Sequence, residues 1–134
     1  MKNLALLIVL LCLAGCSTAS KQPRRFAWVT GLKPDKADYY RQLHANPWPS
    51  VNRTIKQCHI RNFSIHECEI DGKLYLFAYL EYTGKDFQAD MGKMAADAET
   101  QRWWKETDPC QSPLPPAAAQ GKIWSDMKEV YFLP

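Results

Sequence analysis

The folded region opens on a run of apolar, aromatic and β-branched positions in which larger and smaller side chains alternate. Phe26, Trp28 and Thr30 are interleaved with Ala27 and Val29 up to Gly31, a period of two that predicts a first strand closed by a turn. Pro34-Asp35 then opens a helix through about Ala45, because proline fits a first helical turn and an acidic residue suits its positive end. Asn46-Pro47-Trp48-Pro49 must break that helix, and a second helical piece is expected from about Ser50, acting as its cap, to Cys58. Ile60 to Ile70 and Lys73 to Tyr82 are rich in β-branched and aromatic residues, and Asp71-Gly72 between them signals a two-residue hairpin. Phe87, Met91, Met94 and Ala98 form the stripe of an amphipathic, core-facing helix, expected to continue in a second piece through Trp103-Trp104. Thr107 to Gly121 carries Pro109, Pro113, Pro115 and Pro116 and is expected to be a long irregular loop or lid, followed by a last strand over Lys128 to Leu133.

This order, β-α-β-β-α-β, predicts an α+β fold of the ferredoxin-like kind, a four-stranded antiparallel sheet with helices on one face. The opposite face needs a cover, so the pairing of two sheets into a dimeric α+β barrel is expected.

The first residues have a different pattern. Met1-Lys2-Asn3 is a short positive start, Leu4 to Ala14 is apolar without interruption, and Leu13-Ala14-Gly15 precedes Cys16. A stretch of this length is too short for a stable membrane span and reads as a signal peptide over residues 1–15. The placement of Cys16 resembles the bacterial lipobox, which implies cleavage before Cys16 and lipidation of its sulfur. Several acyl chains anchor a protein where one does not. Ser17 after the cysteine resembles lipoproteins sorted to the outer membrane, so the expected location is the cell envelope, at the periplasmic face. Residues 16–24 then form a lipidated tether and residues 25–134 the domain.

Removal of residues 1–15 leaves 119 of the 134, room for a single core. The net charge of +3 falls to +2 without Lys2, and the charges are mixed along the chain, which argues against a nucleic-acid protein. Of five cysteines, Cys12 leaves with the signal and Cys16 takes lipid. An oxidising envelope then makes a Cys58–Cys68 disulfide the expected pairing among Cys58, Cys68 and Cys110, with Cys110 open as an alternative partner.

The chemistry lies in three short segments. Tyr40 and His44 are four apart and share a helix face, and the imidazole changes charge near neutral pH, so it can both give and take a proton. Trp103 and Trp104 point about 100° apart on a helix, so one can face the core and the other a pocket, where an indole stacks on the apolar face of a sugar. Cys58-His59 with His66-x-Cys68 could ligate a soft metal, although the spacing matches no strong zinc pattern.

Tyr40-x3-His44-x3-Trp48-Pro49, Gln101-Arg102-Trp103-Trp104-Lys105 and the ending Glu129-Val130-Tyr131-Phe132-Leu133-Pro134 together resemble the L-rhamnose mutarotase family, in order and over about residues 25–134. The resemblance implies a homodimeric α+β barrel, without cofactor or metal, that interconverts the α and β anomers of L-rhamnose or a related monosaccharide. It places the proton donor at His44 and sugar contacts at Tyr40, Trp103 and Trp104. Phe63, in Asn62-Phe63-Ser64-Ile65, stands where typical members have a sugar-contacting tyrosine, and Asn46-Pro47 is shifted by one from the family's His-Asn-Pro. Losing a hydroxyl contact costs about 0.5–1.5 kcal/mol. The competing expectations are a sugar-binding envelope lipoprotein without turnover and an oxygenase or haem-associated member of the same barrel architecture.

Overall fold

The computed structural model describes residues 22–134. Strand β1 (Arg24–Leu32) leads through a 3-10 turn (Pro34–Lys36) into helix α1 (Ala37–Ala45), and helix α2 (Pro49–Gln57) follows. Strands β2 (Ile60–Ile70) and β3 (Lys73–Tyr82) form a hairpin, then come helices α3 (Phe87–Ala96) and α4 (Ala98–Thr107). A 3-10 turn (Asp108–Cys110), β4 (Gln111–Ser112), the one-turn helix α5 (Pro115–Ala118) and β5 (Ser125–Asp126) complete the order. The sheet runs β2-β3-β1-β4, with β5 also on β1, all pairs antiparallel. This is the expected α+β, ferredoxin-like arrangement, except that the strand beside β1 is split into two short pieces.

The hairpin turn lies where Asp71-Gly72 places it. Asp71 (φ 51°) and Gly72 (φ 70°) are both left-handed, the geometry a two-residue turn needs to match strand twist.

Alternation divides the sheet into two faces. Leu76, Ala78, Leu80 and Tyr82 of β3 are buried, and Leu32, Phe26 and Trp28 of β1 pack with them under the helices. Tyr75, Phe77 and Tyr79 lie on the opposite, half-covered face, opposite Cys68, His66 and Ser64 of β2. Cys58 is buried in the core near the end of α2. The expected Cys58–Cys68 disulfide is therefore absent: Cys58, Cys68 and Cys110 are free thiols, because Cys58 lies under the helices while Cys68 projects from the other side of the sheet.

Three other expectations are corrected. Ser50 does not cap α2: Pro49 occupies its first turn after Trp48, and the Ser50 hydroxyl instead donates to Glu99 (3.3 Å). The proline-rich segment is not wholly irregular, because Pro109 and Pro115 sit at helix starts, where a missing N–H costs nothing. The last strand lies at Ser125–Asp126 rather than Lys128–Leu133. Its register, Asp126 opposite Trp28, carries on to put Glu129 beside Arg25, and these two are bonded (2.6 and 2.9 Å). Among the described residues no strand precedes Arg24 for residues 131–134 to pair with.

Away from His44, buried Asp90 on α3 accepts hydrogen bonds from Tyr82 (2.6 Å), His59 (2.9 Å) and Lys93 (2.8 Å), tying α3 to the end of the sheet. Among the described residues no cluster of His, Cys, Asp or Glu could hold a metal ion, and His59 is engaged by Asp90. No described helix is long and apolar enough to cross a membrane. The expected signal peptide over residues 1–15 and the expected lipid site Cys16 lie outside the described residues.

Candidate functional site

Helix α1 sets the site. It ends at Ala45 because Asn46 precedes Pro47, which disfavours helical backbone before it. His44 is thus in the last turn, and Tyr40 lies one turn earlier on the same face, with the two rings 4.1 Å apart between centroids and tilted by 30°. Arg41, on the outer side, grips Glu67 of β2 through two bonds of 2.6 and 3.0 Å and holds α1 over the sheet.

Helix α4 brings the indoles. Asp97 closes α3 and caps α4, accepting from the Thr100 N–H at 2.8 Å, and this break directs Trp103 inward. The Trp103 ring meets His44 edge-on at 5.2 Å and Trp48 at 5.4 Å. Trp103 is 7 % exposed, whereas Trp104 is 37 % exposed and lines a shallow surface hollow with Gln101, Lys105, Asp108 and Pro109. The structure therefore brings together Tyr40, His44 and Trp103, adds Trp48, and turns Trp104 outward. Phe63 is 43 % exposed on β2, beside the bulge between Arg61 and Ser64, and belongs to neither buried cluster.

The hydrogen bonding of His44 defines its chemistry. Its Nδ1 lies 3.0 Å from the Tyr40 carbonyl oxygen, which can only accept, so Nδ1 carries the proton and donates it there. Nε2 is left with its lone pair. Burial lowers the His44 pKa below the usual 6.5, and the bond to the Tyr40 carbonyl opposes this more weakly. At neutral pH the group is thus an uncharged imidazole with a free accepting nitrogen. Burial also raises the Tyr40 phenol well above its ordinary value, so Tyr40 stays an undissociated hydroxyl.

The segment just after α4 contributes residues that the sequence pattern did not reveal. Lys33 holds it through its backbone N–H to the Cys110 carbonyl (2.9 Å) and its ammonium to the Pro109 carbonyl (2.8 Å). Cys110 joins Leu32, Ala37, Tyr40 and Leu76 in the core, and Gln111, 4 % exposed, is buried beside it on β4, opposite Leu32. Proline content marked this stretch as a loop, and no periodic signal pointed to Gln111.

The family model described as L-rhamnose mutarotase matches residues 25–133. The chain belongs to the L-rhamnose mutarotase family. The L-rhamnose mutarotase of Bacillus subtilis is 33% identical over 113 residues, covering 82% of this chain and 98% of that protein. That of Listeria monocytogenes is 31% identical over 110 residues, covering 81% of this chain and 97% of the other. A crystal structure of an L-rhamnose mutarotase from Formosa agariphila shares the fold, with a TM-score of 0.62 at 20% identity over 83% of this chain and 99% of that one. Membership agrees with the resemblance carried by the Tyr40–His44, Trp103–Trp104 and C-terminal motifs.

Proposed function

We propose that this member of the L-rhamnose mutarotase family interconverts the α and β anomers of L-rhamnose or a related sugar, with His44 moving the proton. The observation that carries this reading is the state of His44: Nδ1 is committed to the Tyr40 carbonyl and Nε2 is free beside two aromatic rings. Neutral Nε2 first accepts the proton of the anomeric hydroxyl. The C1–O5 bond then breaks as C1=O1 forms, and the imidazolium returns the proton to O5. Both oxygens are bonded to C1, so one nitrogen can serve both. Rotation about C1–C2 presents the other carbonyl face, and the same steps in reverse close the ring as the other anomer. The role assigned to His44 as proton donor thus follows from its acting as base first. Tyr40 supplies a neutral hydroxyl and Trp103 an apolar wall.

His44→Ala should slow anomer exchange, measured by NMR saturation transfer across L-rhamnose, L-fucose, D-galactose and D-glucose, by about 10²–10⁴-fold. Exchange as fast as wild type in the folded variant would remove His44 from the mechanism. A wild type that accelerates no sugar would leave the non-catalytic sugar-binding reading in its place.

We further propose a homodimer. Val130, Tyr131, Phe132 and Leu133 are exposed, Val130 by 88 %, beside the start of β1, and none of them lies in a strand of the described residues. Tyr75, Phe77 and Tyr79, half-buried on the sheet face away from the helices, offer a matching apolar surface, and the exposed apolar tail marks an interface. Sedimentation of a chain truncated after Glu129 should give a monomer if this tail holds two copies together. An unchanged dimer, or a monomeric wild type, would refute it.

Anchoring through Cys16 is proposed on the Leu13-Ala14-Gly15-Cys16 sequence after the apolar run. Cys16→Ala should abolish lipid-dependent retention at the envelope, and mass spectrometry showing an unmodified N-terminus at another residue would exclude the anchor.

A further inference from the structure

A cavity of about 310 Å³ lies where the chain leaves β3 for α3, beside the core cluster of Tyr82 rather than that of Tyr40. That volume is at the small end of the range for ligand pockets. Asp90 borders it, and its two carboxylate oxygens accept from Tyr82, His59 and Lys93. Gly84 passes so close that a Cβ there would collide with the Tyr82 hydroxyl and stand 2.8 Å from Asp90 Oδ2, so the chain has room at this point only for glycine. His59 forms another wall, at φ 60°, a left-handed backbone uncommon for a residue with a side chain. Its carbonyl accepts from the Thr83 N–H (3.0 Å) and hydroxyl (3.1 Å), while Asp90 holds the ring at 2.9 Å. A backbone over-determined in this way is a mark of functional sites.

The donors around this cavity outnumber what its carboxylates absorb. A carboxylate only accepts, so His59 Nδ1 carries the proton it gives to Asp90, and Nε2 is left without a described partner on a side chain 48 % exposed. Lys93 uses one of its three N–H bonds on Asp90. Lys85 is exposed and takes part in none of the described ion pairs. Asp86, the other acid, caps α3 by accepting from the Ala89 N–H at 3.0 Å. Two ammonium groups and one imidazole nitrogen therefore border a space whose carboxylates already have partners.

We infer that this cavity is a second ligand site, which binds a phosphate group through Lys85, Lys93 and His59 Nε2. A phosphate offers an oxygen to each of these groups, and the second ionisation of a phosphate monoester lies at about pH 6. The monoanion's P–OH donates to neutral Nε2, and the dianion accepts from the imidazolium, so the ring is satisfied in either state. A carboxylate has one oxygen fewer and no such proton near neutral pH. The site does not depend on the sugar reading of His44.

NMR titration of the protein with inorganic phosphate and with glycerol 3-phosphate, at ionic strength held constant with chloride, tests the site. The expected result is a saturable shift centred on the His59 ring and the amides of Thr83 to Asp86. Lys85→Ala should weaken binding about tenfold, the loss of one charged hydrogen bond. Lys122→Ala, at an exposed lysine that does not line the cavity, should leave binding unchanged. Because Lys85 is outside the Asp90 network, its variant should melt at the wild-type temperature without phosphate and gain less when phosphate is added. His59→Asn, whose side chain tolerates the left-handed backbone, removes the ring nitrogen and should weaken binding by a similar factor. If it does not fold, Lys85→Ala decides alone. Tighter binding of glycerol 3-phosphate identifies the occupant as a phosphate monoester, and equal or weaker binding identifies it as the free ion; either result supports the site. Shifts that rise with phosphate without levelling off, or a Lys85→Ala protein that binds as tightly as Lys122→Ala, would reduce the cluster to a structural tie between α3 and the sheet and overturn the inference.

Discussion

The same substitution should have opposite effects at two glycines of this chain. A Cβ built on Gly31 would lie 2.7 Å from the backbone oxygen of Ser112 and 3.2 Å from its Cβ, about 0.7 Å short of ordinary contact at 3.4 Å. The obstacle is the main chain of β4, which cannot swing aside as a side-chain tip can. Strand β4 is only two residues long and is paired to β1 at Gly31 and Leu32, so Gly31→Ala must push it off the sheet edge. Overpacking of this kind costs about 1–3 kcal/mol, and the lower entropy of the unfolded alanine chain returns about 0.4–1 kcal/mol. The net loss is about 1–2 kcal/mol, which in a domain of this size lowers the melting temperature by roughly 4–16 °C. Gly92 is exposed in the middle of α3 and has nothing within 4 Å of its would-be Cβ. Gly92→Ala should therefore stabilise by about 0.5–1 kcal/mol. Thermal unfolding followed by circular dichroism on both variants checks the pair. A Gly31→Ala protein as stable as wild type, or two shifts of the same sign, would refute the packing argument.

Because burial lowers the His44 pKa and the first step needs its neutral form, kcat/KM should rise with pH along a limb whose midpoint lies below 6.5; a midpoint above that value in the free enzyme would contradict the assignment. The three donors around Asp90 hold its carboxyl well below the usual 3.8, so its contribution is complete above that value and is lost as pH falls beneath it. Urea midpoints should decline in acid for wild type and decline less for Asp90→Asn. Trp103→Ala removes a buried ring and should cost about 3–5 kcal/mol, whereas Trp104→Ala, at an outward position, should leave the urea midpoint close to that of wild type.

Periodicity and turn chemistry were sufficient for much of this molecule. The alternation in β1, the Asp71-Gly72 hairpin and the Phe87–Met91–Met94 stripe each depend on contacts with near neighbours in the chain, so local pattern carries them. The Tyr40–His44 pairing was legible for the same reason, since four residues make one helical turn. Three motifs in order were enough to indicate the family. What only the tertiary structure decided depends on segments far apart in the chain. Which of two adjacent indoles turns inward follows from the Asp97 break and the packing of α4 against α1, and neither is written in Trp103-Trp104. The Cys58–Cys68 pairing failed because the sheet separates two thiols that are close in sequence. The final strand moved to Ser125–Asp126 because its place depends on where β1 begins. Cys110 and Gln111 are buried because Lys33 fastens a proline-rich segment whose composition reads only as loop, and Lys33 lies 76 residues before the Pro109 it holds.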